Sequence, residues 1–326
     1  MRCGLTGRVA RARPRIRPAA QEASRMSTLA RPGSAARSKR FTEAVTGYLF
    51  LSPWLFIFFT FIVFSLGWAV YLSFTRYNLL RPPEWWGLEG YQRVLTDDLF
   101  LEKALPNTFK YVLVVVPLQT IVSLVLAFAM DQQLRFRRVF RTIFYLPSVT
   151  SSVVISLIFI WLFAAQGVVN QIIGISYDWL GEVGTAFYII MGMNIFTTSG
   201  TLMLIFLAGL QDIAPAIYEA ASIDGASKLQ QFLFVTIPML RPVIFFVVTV
   251  GVIGCFQVFD QLYVMTRGGP LDSTTTVTYL IYKWAFQDTT IKMGQASALA
   301  IILTLIILAV TLLQRRVIEG SGAAAD

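Results

Sequence analysis

Six stretches of this chain stay apolar for the ~20 residues that a helix rising about 1.5 Å per residue needs to cross a bilayer. They fall at about 48–74, 109–130, 143–163, 186–210, 242–265 and 296–313, and their interiors carry almost no formal charge. In hydrocarbon no water is at hand to bond the peptide groups, so each segment must satisfy its own backbone, which a helix does. The period-two alternation expected of a membrane barrel is missing. Composition points the same way, since 14% of the residues are charged against roughly 25% in water-soluble domains. The expected fold class is an all-α integral membrane domain of six transmembrane helices.

Lysine and arginine set its orientation. Nineteen lie before the first span, after the second, after the fourth and at the C-terminus, against seven in the loops that face the other way. By the positive-inside rule both termini are cytoplasmic. Residues 1–40, rich in Arg, Ala and Pro, lack a core pattern and read as a disordered basic cytoplasmic tail, with Met26 as an alternative start. Residues 41–318 form the transmembrane domain and 319–326 a flexible C-terminus. No apolar segment with a small-residue cleavage site precedes the first span, so that span itself serves as the targeting signal.

Several chemistries drop out. Histidine is absent, which removes His-based acid–base catalysis and His metal sites. Cys3 and Cys255 give no disulfide framework or metal pair. A phosphate-binding G-x-x-x-x-G-K-[ST] loop is also absent.

The loop 211–241, between the fourth and fifth spans, exceeds what a hairpin of two helices requires. Asp212 followed by Pro215 suits a helix start, because Pro fits a first turn that needs no amide donor. Asp224-Gly225 breaks that helix. Ser227 can cap a second one, which Pro238 is expected to stop. The expected unit is helix, turn, helix across the cytoplasmic face.

Within it, Glu219-Ala220-Ala221, then Gly225, Val235, Ile237 and Pro238 match the pattern E-A-A-x3-G-x9-I-x-L-P, with Val235 replacing Ile and Ile237 replacing Leu. This loop resembles that of permease subunits of binding-protein-dependent ABC importers. Asp224-Gly225-Ala226, Phe232, Pro238 and Pro242 resemble the carbohydrate-uptake branch, which includes maltose, trehalose, lactose and glycerol-3-phosphate permeases. Leu146-Pro147, Gly268-Gly269-Pro270, Thr274-Thr275-Thr276 and Gly294-Gln295-Ala296 extend the likeness over most of the chain.

The resemblance implies a transport subunit rather than an enzyme. The loop would be the coupling helix seated in a cleft of an ATPase subunit, with Glu219, Ala220, Ala221, Asp224 and Gly225 as contact residues. ATP and Mg would be bound by that ATPase, as a dimer, and no cofactor by this chain. A second permease subunit would complete a heterodimer. An extracytoplasmic binding protein would deliver the sugar, and the setting would be a bacterial-type cytoplasmic membrane, with lipid around the chain and no nucleic acid. A polyol or glycerol-3-phosphate-type solute, or an ion-coupled secondary transporter, are the alternatives.

Polar side chains inside spans tend to face a bundle interior or a cavity. Alignment of the resemblance brings forward Ser148, Ser152, Asn194, Thr198, Gly251, Gly254 and Cys255 as the substrate pathway, and amide and carboxylate chemistry adds Gln257 and Asp260. Phe196, Phe256 and Phe259 can offer aromatic faces to a sugar. For each serine the alternative is close helix packing and bonding to its own backbone. Cys255 suits packing as a small apolar residue. Trp85, Trp86, Trp179 and Trp284 read as interface anchors.

Overall fold

The computed structural model describes residues 34–132, 135–288 and 292–320. The chain divides into two compact units, Met1–Leu66 and Gly67–Asp326. In the first, α1 (Ser34–Ile57) leads into a π-helical stretch, Phe58–Val63; α2 (Phe64–Ser73) begins there and has most of its residues in the second. Thus the last part of the tail expected to be disordered, 34–40, is helical, for Ala35, Ala36, Arg37, Lys39 and Arg40 are strong helix formers. The rest of that tail, and residues 321–326 of the expected flexible C-terminus, lie outside the described residues.

The second unit continues with α3 (Glu89–Leu95), α4 (Leu105–Asp131), α5 (Arg137–Val149), α6 (Ser152–Leu162), α7 (Val168–Ile173) and α8 (Ala186–Asp212). Then come α9 (Pro215–Ile223), α10 (Lys228–Gln231), α11 (Ile237–Met239), α12 (Arg241–Phe256), α13 (Asp260–Met265), α14 (Val277–Tyr282) and α15 (Met293–Gly320). One departure from an all-α reading is a two-stranded antiparallel pair, β1 (Thr75–Arg76) with β2 (Glu84–Trp85), in which Thr75 faces Trp85 and Arg76 faces Glu84. It closes the loop between the first two spans.

Among the described residues five helices are long and apolar enough to cross a membrane: Val45–Ser73, Leu99–Asp131, Ala186–Asp212, Arg241–Met265 and Met293–Arg316. The expected third span, 143–163, is not one straight helix. It is the pair α5 and α6, bent by 97° at Thr150-Ser151, and it makes a sixth crossing only if both halves count together. The local chemistry explains the bend. Pro147 has no N–H to donate to the preceding turn. Thr150 then turns its hydroxyl onto the Leu146 carbonyl at 2.9 Å, the group its own amide would have bonded in a continuous helix. Thr150 adopts extended backbone, and Ser151, at φ −54° and ψ 132°, is also outside helical geometry.

The centre of the unit is α4 lying along α8, with α12 against both. Two apolar clusters fill these interfaces. One gathers Tyr111, Val115, Ile190, Met193, Val252 and Phe256, and the other Ala127, Met130, Met203, Phe206, Leu240 and Val247. The bent α5 packs on α8 at Gly200, where a Cβ would run into the Phe144 carbonyl and Ser148 Oγ. Gly200→Val should therefore wedge α5 from α8 at an overpacking cost of ~1–3 kcal/mol. A lowered thermal unfolding midpoint of the detergent-solubilised chain is the expected readout, and an unchanged midpoint would contradict this packing.

Candidate functional site

The fifth apolar run breaks toward its C-terminal end. α12 ends at Phe256, Gln257 and Phe259 leave helical geometry, and α13 restarts at Asp260. A broken helix frees carbonyls that need donors. The Phe256 carbonyl accepts from Thr278 Oγ1 at 3.0 Å and the Val258 carbonyl from Thr276 Oγ1 at 3.5 Å. Irregular backbone at membrane depth is tolerated where protein satisfies it in this way. The threonine-rich loop is pinned in turn, since Asn107 Nδ2 donates to the Ser273 and Thr275 carbonyls, each at 3.0 Å.

Beside the break lies a cavity of about 210 Å³ lined by Asn194 of α8 and by Gly254, Gln257, Val258, Phe259, Asp260 and Gln261. Four of the expected pathway residues (Asn194, Gly254, Gln257 and Asp260) thus meet in one place. Asn194 is 7% exposed, and its Oδ1 is buried without a hydrogen-bond partner among the described residues. A Cβ on Gly254 would meet nothing within 4 Å. The wall is therefore polar and carries one carboxylate.

The other five candidates lie elsewhere. Ser148 Oγ donates to the Thr197 carbonyl at 2.6 Å and accepts from the Thr201 amide at 3.1 Å, bonding α5 to α8. Ser152 Oγ is buried without a partner among the described residues. Thr198 Oγ1 lies 2.9 Å from Gln119 Oε1 and 2.8 Å from the Asn194 carbonyl. Gly251 faces the Gln119 amide so closely that a Cβ would collide with it, and Cys255 is packed in the apolar core.

Gln119 was not singled out by sequence. It is 2% exposed in the middle of α4 and joins α4, α8 and α12 through Thr198 and Gly251, between the two apolar clusters. Its signal was available: an uncharged amide in the middle of a long apolar run. Of the three aromatic candidates only Phe259 lines the cavity. It stacks on Tyr263 with ring centres 5.5 Å apart and meets Tyr282 at 4.9 Å. Phe256 is fully buried, edge-on to Phe109, and Phe196 lines a separate apolar cavity at the bend of α5 and α6. Trp284 is not an interface anchor, being buried in the core at 4% exposure.

The second place is the loop 211–241. α9 begins with Pro215 in its first turn, then ends in a left-handed residue, Gly225, at φ +82°. Two bonds seal that end: the Ala226 amide donates to the Ala221 carbonyl at 2.9 Å, and the Gly225 amide to the Ser222 carbonyl at 3.2 Å. This is the six-to-one and five-to-two pair of a Schellman cap. Ser227 and Gln230 then form a reciprocal capping box at the start of α10. Pro238 does not stop this second helix. A π-helical stretch, Phe232–Thr236, absorbs the missing donor, α11 follows, and the run turns only at Leu240.

Gln231, 4% exposed, ties the two halves by donating to Ser222 Oγ at 2.9 Å and to the Ala226 carbonyl at 3.0 Å. Tyr218 and Thr236 hydroxyls meet at 3.0 Å. The unit is thus rigid within itself, while Glu219, Ala220, Asp224 and Gly225 are exposed and Ala221 is half-buried. Large apolar side chains stand out beside them, Ile223 at 87% and Phe234 at 76% exposure.

Residues 119–320 match the family described as Binding-protein-dependent transport system inner membrane component. The probable ABC transporter permease protein YesP of Bacillus subtilis (strain 168) is 35% identical over 279 residues, 83% of this chain and 89% of that one. The lactose transport system permease protein LacF of Rhizobium radiobacter is 35% identical over 259 residues, 76% and 86% of the two chains. The trehalose/maltose transport system permease protein MalF of Thermococcus litoralis (strain ATCC 51850 / DSM 5473 / JCM 8560 / NS-C) is 30% identical over 284 residues, 85% and 95%. In fold, the chain resembles one chain of a bacterial alginate ABC transporter crystallised with an alginate-bound periplasmic protein, at a TM-score of 0.73 and 22% identity, over 85% of this chain and 95% of that one. The chain belongs to the family of inner-membrane components of binding-protein-dependent transport systems, the permease subunits of ABC transporters, and is a transport component rather than an enzyme.

Proposed function

We propose that this chain passes a neutral sugar across the cytoplasmic membrane, as one of two permease subunits worked by a separate ATPase dimer. The observation that carries the solute reading is the cavity wall of Asn194, Gln257 and Asp260 beside Phe259. Sugar hydroxyls suit a wall of two side-chain amides and a carboxylate, and an aromatic ring suits the C–H face of a sugar. Relatives named for lactose and for trehalose/maltose transport support the same class. The cavity is smaller than the ~300–1,000 Å³ usual for a whole small-molecule site, which fits one wall of a site completed by the second permease.

The helix-turn-helix is the coupling element in this reading. Its internal bonds let it move as one piece, and its exposed glutamate, slim alanines and apolar side chains suit insertion into a cleft. An extracytoplasmic binding protein delivers the solute on the opposite side, and alternating access carries it through. Both termini are cytoplasmic by the lysine and arginine count. A glycerol-3-phosphate-type solute fits less well, because the Asp260 carboxylate on the wall would repel a phosphate.

The test is competition for uptake in vesicles carrying the assembled transporter. Neutral saccharides are expected to compete with one another, whereas glycerol phosphate should not. Inhibition by glycerol phosphate with none by any saccharide would overturn the sugar assignment.

A further inference from the structure

A second polar cavity, of about 230 Å³, lies among β1, α3 and the start of α15, and transport gives it no role. Three cations line it: Arg76, Arg93 and Lys292. Two of them share one aromatic ring, with the Arg93 guanidinium 4.7 Å and that of Arg76 5.8 Å from the centre of a Trp86 ring. Gathering like charges this way is unfavourable unless an anion balances them. Among the described residues Arg93 has one carboxylate, Glu89 at 3.8 Å, in an exposed pair of the kind that contributes little. Arg76 and Lys292 have none within 4 Å among the described residues. The side-chain amides of Asn78 and Gln295 add donors to the same wall.

Its position says what kind of anion fits. The first apolar run ends at Ser73 and the last begins at Met293, so the cavity sits where two spans leave the hydrocarbon. The Gly294 amide donates to the Tyr77 carbonyl at 3.2 Å and fastens the two ends together. In the same loop as Asn78 and Trp86 of the lining, Leu80 is 88% exposed, Trp85 70% and Leu88 64%. Large apolar side chains beside a cationic hollow, with tryptophans at this level, match the boundary between acyl chains and headgroups.

We propose that this cavity binds the phosphate of an anionic phospholipid headgroup. Arg76, Arg93 and Lys292 balance its charge, Arg93 presents a planar pair of donors to its oxygens, and the lipid chains lie against Leu80, Trp85 and Leu88. An acidic segment of a soluble protein would use the cations but leave the exposed apolar side chains of this loop in water, so the lipid accounts for more of what is seen. The inference is independent of which solute the permease carries.

Native mass spectrometry of the full chain, released from detergent, tests it with phosphatidylglycerol, phosphatidylcholine and inorganic phosphate as probes. One phosphatidylglycerol is expected to be retained in preference to phosphatidylcholine, and an equal concentration of inorganic phosphate should not displace it. The double variant Arg76→Gln/Lys292→Gln, which leaves Arg93 on Trp86, should weaken retention by about tenfold or more. Arg76→Lys/Lys292→Arg should preserve it. Unchanged retention in a glutamine variant with a wild-type unfolding midpoint would overturn the proposal. So would displacement by inorganic phosphate, or binding of an acidic soluble protein with no lipid preference. If the glutamine variant does not fold, the charge-preserving variant and the phosphate competition on the unaltered chain decide the matter.

Discussion

Gly225→Val is expected to lower ATP-driven uptake strongly while the apolar helices still insert. The residue sits at φ +82° with nothing within 4 Å of a built Cβ, so the penalty is conformational rather than steric crowding. A left-handed residue with a side chain costs ~1–2 kcal/mol, and more when it is branched at Cβ. That alone reduces the population of the native turn by about 5- to 30-fold. The Schellman bonds from Ala226 to Ala221 and from Gly225 to Ser222 depend on the same turn, so α9 and α10 lose their fixed angle. Glu219→Ala acts differently. The side chain is exposed and its loss leaves this chain intact. If Glu219 meets a basic group of the ATPase in a partly desolvated contact, as proposed, its loss leaves that group unpaired, which is punished more than loss of a surface pair. Co-purification with the ATPase and solute-stimulated hydrolysis in vesicles are the readouts. Wild-type association and stimulation in both variants would remove the coupling role from this loop.

Asn194→Ala and Gln257→Leu are expected to impair uptake with normal subunit assembly, Asn194 the more strongly. Asn194 is the buried member, and its Oδ1 has no partner among the described residues. The protein therefore loses little when it is truncated, while the proposed solute contact of this side chain is lost. One neutral hydrogen bond contributes about 0.5–1.5 kcal/mol net, so the concentration for half-maximal uptake should rise by roughly 2- to 10-fold. Gln257 is exposed at the rim of the break, where solvent can replace part of what it offers. Unchanged uptake kinetics in both variants would return the two amides to a packing role.

What could be read from the sequence follows the range of the interactions involved. Hydrocarbon demands length and apolarity from every crossing helix, so the long runs were legible: Val45–Ser73, Ala186–Asp212 and Arg241–Met265 begin and end within about three residues of the expected bounds. Caps are local chemistry, and Ser227 and Gly225 declared themselves from single residues. The bend at Thr150-Ser151 was written in Pro147 and Thr150, yet apolar length outweighed both in the reading of 143–163. Pro238 failed in the opposite sense, because a π-helical stretch relieved what its ring forbids. The cavity brings α8 against the break of the fifth run, and nothing short of tertiary packing could bring Asn194 to Gln257 and Asp260 while turning Cys255 into the core. Gln119 was visible as a mid-span amide but had no local reason to be singled out before α8 and α12 were placed around it.

Solute accumulation in sealed vesicles is the most direct test, with this chain assembled with a second permease, the ATPase dimer and the binding protein. Accumulation of a neutral saccharide is expected when ATP is hydrolysed, with none when a non-hydrolysable analogue or an ion gradient alone is supplied. Accumulation driven by an ion gradient with the ATPase omitted would contradict ATP-driven import through this chain.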